Sequence, residues 1–181
     1  RLNRPVNRQS YVTVVKALPT LLKSFCYDWP QRYLTTDLST MPEDNRLPIA
    51  DLYLSEEKIG LLNSNLPTSG ANYVKGGILK YDSSTYKVQL HYRGDLWYHW
   101  GTEQKSWRVK FKKGELINGM RRVNIINPGP DMISDHATYL MAAEAGVLAP
   151  QSQMVQFRLN EKNFGVMHWC DQINEDFLRW N

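Results

Sequence analysis

The sequence predicts an α+β domain in which one helix packs on a twisted antiparallel sheet. From residue 73 onward, short runs alternate apolar and polar residues with a period of two, as strands with one buried face do. Residues 131–145 break that pattern with apolar positions three and four apart, and two more alternating runs follow. The chain has 181 residues, 42% of them apolar and 12% aromatic, enough to bury one core. No run of about 18 apolar residues is present, so no transmembrane segment is expected.

The elements follow in chain order. Residues 1–35 carry Arg1, Arg4, Arg8, Lys16, Lys23 and Arg32 against Asp28 alone, while the whole chain is only +4. That basic start reads as a solvated tail or as the flank of a membrane segment lying outside this sequence. With neither a start Met nor a signal-like apolar core, the chain reads as an excised piece. Val12, Val15, Leu18, Leu22 and Phe25 suggest an amphipathic helix kinked at Pro19, and Pro30, Pro42 and Pro48 punctuate an irregular connection. Residues 1–47 are therefore expected to be a basic helical and irregular extension, and 48–181 the folded domain.

Within that domain, residues 48–54 read as a strand and 55–62 as a short helix capped by Ser55. Residues 73–81 and 86–93 form a hairpin around Asp82-Ser83-Ser84, with further strands at 106–112 and 122–127 in an antiparallel meander. The helix at 131–145, ended by Gly146, is expected to bury Ile133, Ala137, Leu140 and Met141 against the sheet. Strands at 153–159 and 164–169 flank Asn160-Glu161-Lys162-Asn163, expected to be a four-residue turn, and residues 174–181 start like a capped helix.

Several chemistries are excluded by their missing motifs: there is no Walker-type or dinucleotide-binding glycine loop, no H-E-x-x-H and no G-x-S-x-G. His91, His99, His136 and His168 lack ligand spacing, and Cys26 and Cys170 are too few for a cysteine-based site, so no metal is assigned to side chains of this chain. A nucleic-acid partner is not expected, because no binding motif accompanies the basic residues and acids balance them in the body of the chain.

Three features carry chemistry. The long turn between the strands at 86–93 and 106–112 has Gly94 and Gly101 near its ends, with Arg93, Lys105, Arg108 and Lys110 along its approaches. Backbone N–H groups and cations so placed suit a phosphate-bearing ligand, while a solvated strand face explains the same pattern. Trp97, Tyr98, Trp100 and Trp107 offer aromatic faces for a polysaccharide or a protein, or simply core packing. Glu144 lies on the apolar side of the predicted helix and needs a cationic partner there, which the basic strand would supply.

These residues also carry a resemblance. Arg93-Gly94, the run Gln104-Lys105-Ser106-Trp107-Arg108-Val109-Lys110-Phe111, Val123-Asn124-Ile125-Ile126-Asn127, the run from Ala143-Glu144 to Pro150, Asn163-Phe164-Gly165-Val166-Met167, and Asp171 ahead of Asp176-Phe177-Leu178 stand in an order and spacing that resembles the spore-coat-protein-H (CotH) kinase family over residues 48–181. The resemblance implies the first lobe of an atypical protein-kinase-like fold, ATP with Mg2+ or Mn2+ as cofactor, and transfer of phosphate to protein hydroxyls. It also implies a protein substrate or a surface or spore-coat partner. Arg93, Gly94, Lys105, Arg108, Lys110, Glu144 and Asp171 are the residues it points to for cofactor binding. The family commonly shows an Asp, a few residues and then an Arg at the start of the helix, where this chain has Asp131 and Asp135 followed by His136, and Asn174 stands where an Asp is usual. The resemblance implies that the catalytic aspartates fall downstream of these residues and points to no catalytic residue among them; a pseudokinase scaffold or carbohydrate-binding surface is the alternative.

Overall fold

The computed structural model describes residues 47–64, 66, 73–94, 96, 99–128 and 133–180. The basic extension, the helix expected at 11–25, Trp97, Tyr98 and Asp131 lie outside the described residues. The elements are β1 (Ile49–Tyr53), α1 (Glu56–Ser64), β2 (Val74–Tyr81), β3 (Ser84–Tyr92), β4 (Trp107–Phe111), β5 (Arg122–Ile126), α2 (Ser134–Glu144), β6 (Ser152–Leu159), β7 (Lys162–Asp171) and α3 (Glu175–Trp180).

The strands do not form an open sheet covered by a helix, as the expectation of an α+β, kinase-like first lobe required. They close into a seven-stranded barrel in the order β1-β2-β3-β4-β5-β7-β6. Neighbours pair antiparallel except at the closure, where β1 runs parallel to β6 with Ile49 opposite Gln156 and Leu52 opposite Leu159. Closure explains the failed expectation. A barrel buries the inward side of every strand against the other strands, so no helix is needed to cover it. The alternation in β4 shows this directly: Trp107, Val109 and Phe111 are buried while Arg108 and Lys110 between them are half-buried. Leu52, Leu79, Leu90, Val123, Ile125, Val155, Phe157 and Met167 fill the interior with them.

Helix α2 departs furthest from expectation. None of its residues is buried. Ile133, Leu140 and Met141, expected at the packed face, are 57%, 52% and 72% exposed. The helix instead turns His136 and Tyr139 toward the outside of the barrel, where both rings lie within 6 Å of His168 on β7 (5.9 and 5.8 Å). His136 Nδ1 is also 2.8 Å from the Ser152 hydroxyl of β6. Glu144 stands exposed at the far end.

The turns follow from local chemistry. Asp82 and Ser83 join β2 to β3 with φ of 47° and 58°. Asn160 and Glu161 join β6 to β7 with φ of 49° and 70°, so this turn has two residues rather than four, and both have the left-handed backbone that tight hairpins require. Asn160 also accepts from the Leu54 N–H (2.9 Å) and donates to the Leu54 carbonyl (2.8 Å), fixing the entry to α1. At α3, Asn174 Oδ1 accepts from the N–H groups of Asp176 (2.8 Å) and Phe177 (3.2 Å), a side-chain cap that seats Phe177 in the core.

Candidate functional site

The strand register builds a second, polar layer on the outside of the barrel. His91 lies opposite Arg108, Arg108 opposite Asn124, Asn124 opposite Cys170 and Cys170 opposite Ser152, a row crossing five strands. One step toward the ends of β3 and β5 stand Arg93, Ile126 and His168, and one step the other way stand Lys110 and Arg122, directly opposite each other. Side chains two apart on a strand share a face, so these residues belong to one surface.

Where α2 approaches that surface, a cleft of about 210 Å³ opens between helix and strands. Arg93, Asn124, Asn127, Asp135, Tyr139 and Asp171 are among the residues lining it. Arg93 Nε is buried without a hydrogen-bond partner among the described residues, and His168 Nε2 is in the same condition. Burial pushes His168 down to about 4, keeping it neutral near neutral pH. Cys170, in the cleft wall, is pushed up to about 11 by burial and is therefore a poor nucleophile at neutral pH. Asp171 is 5% exposed, and burial raises it to about 6 against a backbone hydrogen bond from Gln151. It can therefore exchange a proton close to neutrality.

Arg108 donates from Nε to Asn124 Oδ1 at 3.2 Å. Burial first, then the Arg93 and Arg122 guanidinium groups, lower its hold on its proton, and no carboxylate is among the groups acting on it. Three guanidinium groups thus share one field.

The connection between β3 and β4 is held by a polar clamp that the sequence did not announce. The Asn127 side-chain amide donates to the Gln104 carbonyl (2.7 Å) and the Thr102 hydroxyl (3.3 Å), and its backbone N–H donates to Ser106 Oγ (2.8 Å). Ser106 Oγ also lies 2.8 Å from His99 Nδ1, and Gln104 donates to the Val166 carbonyl at 3.0 Å. Gly94 permits this arrangement: its φ is +96°, and a Cβ there would stand 2.3 Å from the His99 ring.

The seven candidate residues are therefore separated. Arg93 and Asp171 line the cleft, and Gly94 sets the loop that leaves it. Arg108 adjoins the cleft through Asn124, while Lys110 stands one step farther along β4, its ammonium 5.2 Å from the centre of the Tyr73 ring. Lys105 is elsewhere: its amine donates to the Thr102 carbonyl (2.9 Å) and lies 5.8 Å from the Tyr92 ring centre at the barrel mouth. Among the described residues it forms no ion pair with Glu144; the pairs there are Arg158 with Asp51 (2.7 Å) and Lys162 with Glu103 (3.1 Å). Trp100 is half-buried and Trp107 is core. Sequence reasoning missed Asn124, Asn127, Tyr139, His168 and Arg122. The available signal was a small polar residue at the end of an alternating strand, and the i, i+3 spacing of His136 and Tyr139.

Residues 90–181 match the family described as CotH kinase protein, which takes in the end of β3, the clamp, both walls of the cleft and β4 to β7. The chain belongs to the CotH kinase protein family. No curated protein matches it in sequence. The CotH match contains every one of the seven candidate residues, and it leaves β1, β2 and most of β3 outside. In this CotH family member no helix of the described residues is long and apolar enough to cross a membrane.

Proposed function

We propose that residues 48–181, preceded by the extension 1–47, form the nucleotide-cradling portion of a CotH kinase that transfers phosphate from ATP to protein hydroxyls. The observation that carries this reading is the cleft guanidinium of Arg93, its Nε without a hydrogen-bond partner among the described residues, beside a second guanidinium at Arg108. Planar guanidinium groups suit phosphate oxygens because two parallel N–H bonds match two oxygens. At about 210 Å³ the cleft falls below the roughly 300 Å³ at which pockets for whole small molecules begin. It suits a phosphate tail, with the rest of the nucleotide outside it.

The side chains also fit a divalent cation that arrives with the phosphates. Among the described residues no three His, Cys, Asp or Glu groups stand close enough to hold a metal alone. Asp135 and Asp171 line the cleft, and one or two carboxylates together with phosphate oxygens are the usual partners of Mg2+. When bound, Mg2+ or Mn2+ would neutralise charge on the phosphates. Arg93, with Arg108 next to the cleft through Asn124, would orient the same oxygens, and the half-buried Tyr139 lines the helix side.

Thermal unfolding with and without ATP and Mg2+ tests the reading. A ligand at about 100 times its dissociation constant adds roughly 2.7 kcal/mol to the native state. The shift is expected to vanish in Arg93→Ala and to survive in Lys105→Ala, whose amine is already engaged at the barrel mouth. An absent shift in the folded parent chain would overturn it.

A further inference from the structure

We propose that a hollow where the β2–β3 hairpin meets the β1–β6 seam binds a neutral sugar unit. The site goes beyond the kinase reading and does not rest on it. No residue lines both this hollow and the cleft, and of its walls only Arg158 falls within the family match at residues 90–181.

The strand register builds the hollow. Arg158 on β6 lies opposite Asp51 on β1, Asp51 opposite Lys80 on β2, and Lys80 opposite Thr85 on β3, a polar row across four strands whose charges alternate in sign. Arg158 Nε stands 2.7 Å from the Asp51 carboxylate, and the Lys80 ammonium lies 4.8 Å from the centre of the Tyr53 ring. The space along this row is about 400 Å³, within the range of roughly 300–1,000 Å³ that small-molecule sites occupy. Ser83, Ser84 and Thr85 of the hairpin line it with hydroxyls, and Ile49 and Tyr81 line it with apolar surface.

Its chemistry selects against charged ligands. Lys80 and Arg158 are balanced by Asp51 and Asp82, so an anion meets no surplus of cations. A metal ion finds no group of three His, Cys, Asp or Glu among the described residues. A peptide strand has no edge to join, because β1 pairs with β2 on one side and β6 on the other. What remains is hydrogen-bonding capacity. A guanidinium has several N–H donors and a carboxylate several lone pairs, and among the described residues the Arg158 and Asp51 side chains engage only each other. The hydroxyls of Ser83, Ser84 and Thr85 have no partner among the described residues either.

Sugar hydroxyls both donate and accept, so neighbouring ones match a fixed Arg–carboxylate pair, while the C–H face of the ring packs on apolar surface. Ile49, 37% exposed, and Tyr81 supply that surface. Tyr81 is held in place: its ring stacks on Trp169 with 4.7 Å between centroids, and its hydroxyl accepts from Gln153. The ion pair fixes Arg158 in the same way before a ligand arrives, which lowers the ordering cost of binding.

Saturation-transfer NMR of the full chain with the methyl glycosides of glucose, galactose, mannose and N-acetylglucosamine tests the proposal. At least one is expected to bind with a dissociation constant on the order of 1 mM and to stay bound when ATP and Mg2+ are added. Asp51→Asn is expected to weaken it by at least about tenfold. Because that substitution also loosens the β1–β6 seam, Ser84→Ala combined with Thr85→Val, at two exposed hydroxyls, gives a second measurement. It should weaken binding by at least about threefold with an unchanged melting temperature. Binding absent for all four glycosides, or equal to the parent's in both variants, overturns the proposal. Displacement of the glycoside by an equal concentration of inorganic phosphate would make the hollow an anion site and overturns it as well. The ATP thermal shift is expected to persist in both variants. Its absence from the parent with sugar binding intact would remove the kinase reading and leave the sugar site standing.

Discussion

Strand β4 shows two chemistries a single residue apart. Its inward side chains, Trp107, Val109 and Phe111, are at most 2% exposed and pack among other apolar groups. Its outward side chains, Arg108 and Lys110, share a surface with two further arginines. The inner face lowers the free energy of the fold by removing apolar area from water, while on the outer face crowded like charges offset what Lys110 gains over the Tyr73 ring. The inward residues are explained by the stability they supply, and the outward ones, which supply little of it, are where the proposed phosphate binding would explain the residue choice.

That contrast can be broken on either side. The largest effect is expected inside: Trp107→Ala should cost about 3–5 kcal/mol by denaturant titration, and a loss below about 1 kcal/mol would mean the interior does not carry the fold. Next comes the junction between the faces, where Asn127→Ala removes two buried hydrogen bonds, to the Gln104 carbonyl and the Thr102 hydroxyl, leaves only the Thr102 hydroxyl donating to that carbonyl, and should cost about 1–3 kcal/mol. Rescue by Asn127→Ser should be poor, because one hydroxyl cannot reach both partners. On the outer face, Lys110→Gln should change stability by no more than about 0.5 kcal/mol, since lost stacking on Tyr73 and relieved repulsion with Arg122 offset each other. A large destabilisation there would make the cations structural.

The smallest effect sharpens the comparison through pH. Asp171 is raised, so the stability linked to it is full below its ordinary 3.8 and is lost as the pH rises through about 6. His168 is depressed and works oppositely: its linked stability is full above 6.5 and is lost as the pH falls through about 4. Over the interval between those two folded values, protonation of Asp171 removes a negative charge from the cleft while His168 is still largely neutral. Sulfate, whose charge is fixed in this range, should therefore bind a few-fold more tightly as the pH drops below about 6, and Asp171→Asn should flatten the profile. A profile unchanged by that substitution would place the titration elsewhere.

Much of the barrel was legible because alternation is a local property. Strands β2 to β7 lie close to where period-two runs place them, and the Asp82-Ser83 turn and the helix start at Asn174 announce themselves through short polar side chains, while the turn expected over residues 160–163 shortens to Asn160-Glu161. Closure was not legible. The pairing of Ile49 with Gln156 joins residues far apart in sequence, and nothing in either strand alone specifies it. Missing that pairing led directly to the expectation of a covering helix, and so to the burial assigned to Leu140 and Met141. At the site, strict alternation already put Arg108 and Lys110 on one face of their strand, but only the register shows that this face also carries Asn124 and Arg122, and only the fold shows Lys105 donating to the Thr102 carbonyl. The clamp around Asn127 was hidden for the same reason: its partners come from a loop and from β7, brought together by folding.

The parallel seam between β1 and β6 has a kinetic consequence. A chain growing from its amino end makes β1 early, yet β1 must wait for β6 before the cylinder can shut. Until then the hairpins of β2–β3 and β6–β7 can form by themselves, but each leaves backbone groups seeking a neighbour. Long-range pairing of this kind is slow because the intervening loop loses its freedom before the contact rewards it. Segment 90–181, which carries the whole match to the CotH family, is by this measure a recognisable sequence unit that cannot shut its own barrel; that step is left to a strand outside the match.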